Sequence, residues 1–131
     1  MKLNAVGVTS SNIAKTLEIY KLLGFEFGEP MGDHYESAVT KTSAKLMIDP
    51  KKVVADIIGQ DPKPGNHSNF AIEFDSAKEV NEVAEKIKDA GFAIVKEPWD
   101  AFWGQRYCLV KDPDGYMVDL YAQLEKPSSG K

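Results

Sequence analysis

The sequence predicts an α+β fold made of two tandem βαβββ modules, and three observations carry that prediction. The run Leu23-Gly24-Phe25-Glu26-Phe27, followed by Glu29-Pro30, matches Ala90-Gly91-Phe92-Ala93-Ile94, followed by Glu97-Pro98. Each run closes an apolar stripe of helical period, so the halves repeat one order of elements. Such a pair suits a duplicated module, because an open solenoid needs at least about three repeats. Between the halves, Asp61-Pro62-Lys63-Pro64-Gly65 interrupts any regular element. Near the end, Trp103 to Tyr121 reads as strand, turn and strand: in Asp112-Pro113-Asp114-Gly115, Pro113 fixes φ and Gly115 accepts a positive φ.

Taken in order, Leu3 to Thr9 is a short β-type run, and Ser10-Ser11-Asn12 can cap the helix after it. Ile13, Leu17 and Tyr20 recur at helical spacing with Leu23 close behind, while Lys15, Glu18 and Lys21 point elsewhere. Gly24 stops this helix. Phe25 to Phe27 alternates as a strand, Pro30 and Gly32 break it, and Tyr35 to Lys41 and Lys45 to Ile48 read as two more strands. The linker from Asp49 to Gly65 pairs Val53-Val54 with Ile57-Ile58 at a spacing of four, room for one or two helical turns. Phe70 to Phe74 opens the second half. Ser76 and Glu79 form a capping box, and Val80, Val83, Ala84, Ile87 and Ala90 make one helical face, stopped by Gly91. Modules of residues 1–49 and 67–123, a linker of 50–66 and a loose tail of 124–131 are the expected division of one structural domain.

The chain has 131 residues, 43% of them hydrophobic, enough for a single core, and its formal charge of −4 supplies no field that would gather phosphates. Nucleic acid is therefore not an expected partner. No apolar run approaches the ~20 residues that span a bilayer, and the N-terminus has no apolar signal region, so no membrane partner and a cytoplasmic location are expected. The single cysteine, Cys108, cannot form an internal disulfide and reads as a buried small hydrophobe in a strand.

The duplicated βαβββ order, the Leu22-Leu23-Gly24-Phe25 corner after an aromatic-terminated helix, Trp103-Gly104, and Asp112-Pro113-Asp114-Gly115 with an acid four residues on resemble the vicinal oxygen chelate superfamily. It includes glyoxalase I, extradiol dioxygenases, fosfomycin-resistance enzymes and bleomycin-resistance proteins. The resemblance spans nearly the whole chain and implies the cup-shaped glyoxalase/bleomycin-resistance fold and a homodimer. It also implies four positions where metal-dependent members carry His, Gln or Glu. These fall on Ala5, Met47, Asn69 and Asp119, of which Asp119 alone keeps a strong ligand type. Alanine and methionine cannot replace imidazole or carboxylate for such an ion. The expectation is thus no metal and no cofactor. An alternative set, His67, Asp49 and Asp119, requires a slipped register that would turn Phe70 to Phe74 inside out.

What remains is a small-molecule pocket. Pro98 to Gly104 reads as a loop-like aromatic rim in which Phe102 or Trp99 could instead plug the core, and the resemblance assigns Trp103 to stacking on a planar ligand. Alternation places Tyr107 beside Gln105 and Leu109, and Asp119 beside Met117 and Tyr121. The expected ligand-binding residues are Trp103, Tyr107, Asp119, Asn69, Trp99 and His34. None is expected to be catalytic, because two histidines so placed offer no nucleophile triad. The leading expectation is a binding protein of the bleomycin-resistance type that sequesters a planar or cationic compound, an antibiotic-resistance role. The alternative is a metal-dependent lyase, isomerase or thiol transferase of the glyoxalase I or fosfomycin-resistance type. A binding module for another metabolite or partner is the third reading.

Overall fold

The computed structural model describes residues 2–38, 44–65 and 70–125. His67, Asn69, the far end of the strand expected to reach Lys41, and the tail from Lys126 lie outside the described residues. The chain divides into two compact units, Met1–Gly65 with Asp112–Tyr116, and Asn66–Lys111 with Met117–Lys131.

The first unit contains β1 (Ala5–Ser10), α1 (Ile13–Leu22), β2 (Tyr35–Glu36), β3 (Lys45–Pro50) and α2 (Lys51–Ile58). Its sheet has the order β1-β3-β2, with β1 parallel to β3 and β2 antiparallel to it. Asn12 caps α1 as expected, its side chain accepting from the Lys15 amide at 3.2 Å. Val8, Leu46 and Ile48 of the sheet and Ile19, Tyr20 and Leu23 of the α1 region are buried together as the core. Ser10 and Thr16 satisfy each other inside it, 2.6 Å apart. The linker holds α2, which ends at Gly59.

The strand expected at Phe25 to Phe27 is reduced to one bridge, Phe27 to Ser37, and the expected Tyr35 strand spans two described residues. The segment between them spends its backbone bonds locally: Met31 and His34 pair with each other at 2.9 and 3.0 Å, closing a small turn that leaves no ladder to extend.

The second unit contains β4 (Phe70–Glu73), α3 (Ala77–Asp89), β5 (Ala93–Ala101), β6 (Gln105–Lys111) and β7 (Met117–Gln123). Its sheet order is β4-β7-β6-β5, and β4 runs parallel to β7. In both units, then, the first strand pairs in parallel with the last, which is the duplication expected from the repeat. Ser76 caps α3, accepting from the Glu79 amide at 3.1 Å, while Glu79 reaches back to the Asp75 amide at 3.0 Å, one residue before the cap. Val80, Ala84 and Ile87 of α3 are buried, as are Cys108, Val110, Val118 and Leu120 of the sheet. Burial pushes the Cys108 thiol up to about 12, which keeps it an inert apolar group.

One expectation is corrected here. Pro98 to Ala101 is not a loop: β5 runs through it, and only Phe102 to Gly104 turns. Proline is tolerated because β5 is an edge strand with register shifts on either side of Lys96.

Candidate functional site

In the second unit, one face of the sheet packs on α3 and the other carries several of the expected site residues. Cross-strand pairing sets Trp99 opposite Tyr107 and Tyr107 opposite Tyr121, so an aromatic row crosses β5, β6 and β7. The Tyr107 and Tyr121 rings stack at 5.8 Å, and Trp99 meets Tyr107 edge-on at 5.6 Å. Trp103, in the β5–β6 turn, stands edge-on to Tyr107 at 5.4 Å and to Trp99 at 6.2 Å. Its indole N–H donates to Gln105 at 2.8 Å, which fixes the ring. Trp103 is 49% exposed and Phe102, against it at 5.1 Å, is 97% exposed, so Phe102 does not plug the core. Trp99 is half-buried in the row.

Asp119 sits beside that row, paired across the ladder with Leu109 and Ala71. The Tyr107 hydroxyl donates to its carboxylate. Burial, then this carboxylate, pushes the Tyr107 phenol up to about 12, so it remains a donor. Four predicted residues, Trp99, Trp103, Tyr107 and Asp119, are thus brought together on one face. Tyr121 and Lys96 belong to the same surface and were not among the expected site residues. The alternation from Asp119 to Tyr121 pointed to the first. The register shifts around Lys96 hide the second from any period-two reading.

His34 belongs to the first unit and has a different setting. Its Nδ1 lies 2.6 Å from Asp49 and its Nε2 2.9 Å from Glu36, and Lys45 pairs with Glu36 at 2.9 Å. Both ring nitrogens can face carboxylates as donors only in the imidazolium form, and the bonds to Glu36 and then Asp49 raise the His34 pKa. The His34 side chain is thus engaged at both ring nitrogens in a part-buried ion cluster of the first unit. Asp49 is brought to His34 from β3.

A sequence model of the Glyoxalase/Bleomycin resistance protein/Dioxygenase superfamily matches residues 2–120. The chain belongs to this superfamily. Among solved structures, a glyoxalase/bleomycin resistance protein/dioxygenase family enzyme from Burkholderia phytofirmans matches with a TM-score of 0.81 at 13% identity, covering 95% of this chain and 100% of that one. A glyoxalase-related enzyme from Fulvimarina pelagi matches with 0.81 at 14% identity over 99% and 95% of the two chains. A hypothetical protein from S. aureus matches with 0.79 at 20% identity over 92% of each. These likenesses show a shared fold. No curated protein matches the sequence significantly.

The superfamily includes metal-dependent members, whose ligand positions fall here on Ala5, Met47, Asp119 and Asn69, the last outside the described residues. No group of three His, Cys, Asp or Glu side chains among them is placed to hold a metal ion. Asp119 has Leu109 and Ala71 as its row neighbours, and Ala5 and Met47 pair with Lys45 and Gly7 on the first sheet.

Proposed function

We propose that this superfamily member binds a planar small molecule against the aromatic face of its second unit, without a metal, and sequesters it there. The observation that supports this reading most directly is the aromatic row with Trp103 at its margin and Asp119 beside it. Fixed indole and phenol rings supply stacking area at little cost in side-chain entropy, and the carboxylate selects a cationic group.

Titration with bleomycin or an aryl amidine, followed by tryptophan fluorescence, tests it. Trp103→Ala should weaken binding by about 1 to 2 kcal/mol, roughly tenfold, with little change in unfolding midpoint. Asp119→Asn should weaken cations more than neutral compounds of the same shape. If Trp103→Ala unfolds the protein while the folded fraction keeps its affinity, the indole is a structural group and the stacking site is wrong.

A further inference from the structure

The aromatic face carries charge at both ends of a neighbouring row, and this bears on the class of ligand, given the proposed reading that a planar compound binds there. Lys96 on β5 pairs across the ladder with Leu109 on β6, and Leu109 with Asp119 on β7. This row runs alongside Trp99, Tyr107 and Tyr121. The register shifts on both sides of Lys96 bring its side chain back over the row, and its Nζ stands 4.2 Å from the centre of the Trp99 ring. Among the described residues, the Lys96 ammonium pairs with no carboxylate. Contact with the indole occupies one side of the cation and leaves other N–H donors to a ligand. A cation therefore stands at the edge strand and an anion two strands inward. At ordinary strand spacing their backbones are about 10 Å apart, with apolar Leu109 between them.

We propose that this face takes a planar zwitterion: a flat apolar body lying along the aromatic row, a cationic group at Asp119 and an anionic group at Lys96. A purely cationic compound would engage one end and leave Lys96 to solvent. A purely anionic one would meet Asp119 unfavourably.

A matched set of probes separates these cases: a biphenyl with an amidinium at one end and a carboxylate at the other, its methyl ester, and the biphenyl carboxylate lacking the amidine. Affinities are measured by tryptophan fluorescence and calorimetry on the full chain and on Lys96→Gln. The zwitterion should bind the unmodified chain about three- to fivefold tighter than its ester, the range of a partly exposed ion pair, and this preference should vanish in Lys96→Gln. The carboxylate alone should bind weakest. Equal affinity for zwitterion and ester in both chains overturns the zwitterion proposal while leaving the planar-cation reading standing. Absence of binding by all three probes overturns that underlying reading as well. A preference for the zwitterion that persists in Lys96→Gln overturns the role of Lys96, and an unchanged unfolding midpoint confirms that the variant is folded.

Discussion

At His34 two neighbouring carboxylates favour the charged imidazole, and the sign of the pH dependence follows. The His34 pKa is raised in the folded state by Glu36 and Asp49, so its contribution to stability is complete below the unfolded value of about 6.5 and is lost as pH rises through the folded one. Glu36 is lowered by His34 and then Lys45, so its contribution is complete above the unfolded value and lost as pH falls through the folded one. Urea midpoints measured across this range should show a plateau between the two titrations, with a decline on the alkaline side. In His34→Gln the alkaline decline should disappear. Parallel profiles for the two proteins would show that the cluster adds nothing to stability.

The Asp112-Pro113-Asp114-Gly115 turn shows how an element acquires a role beyond its own hydrogen bonds. Within the turn, Asp112 accepts the Asp114 and Tyr116 amides at 2.9 Å each, and Gly115 has φ of 98°, which L side chains rarely adopt. The same carboxylate accepts the buried Tyr20 hydroxyl of α1 at 2.8 Å, and Asp114 accepts the Ser11 amide at 3.0 and 3.1 Å. Burial raises both the Tyr20 phenol and the Asp112 carboxyl. Tyr20→Phe leaves one Asp112 oxygen without its buried donor. We expect a loss of about 1 to 2 kcal/mol in urea unfolding, whereas an unchanged midpoint would mean that the local turn bonds suffice.

Taken as a whole molecule, the chain contains no helix among the described residues that is long and apolar enough to cross a membrane. Where no metal binding energy is linked to the folded state, chelation has nothing to remove. The melting temperature and the affinity for a planar cation should both be unchanged after treatment with a strong chelator. A drop restored by one particular divalent ion would overturn the metal-free reading.

The sequence by itself determined the elements and their repetition. Helical and strand periods, the caps at Asn12 and Ser76 and the turn at Gly115 are local effects of side-chain direction and backbone sterics, and they operate within a few residues. The face of one strand shared by Asp119 and Tyr121 was legible for the same reason, since alternation along a regular strand needs no partner to define it. Only the tertiary structure decided which strands lie side by side. Asp49 closes on His34, Tyr20 reaches Asp112, and Lys96 covers Trp99 through pairings or bulges between segments that no periodicity relates. The short Phe27 bridge was likewise out of reach of sequence, because a strand persists only where a neighbour supplies its hydrogen bonds.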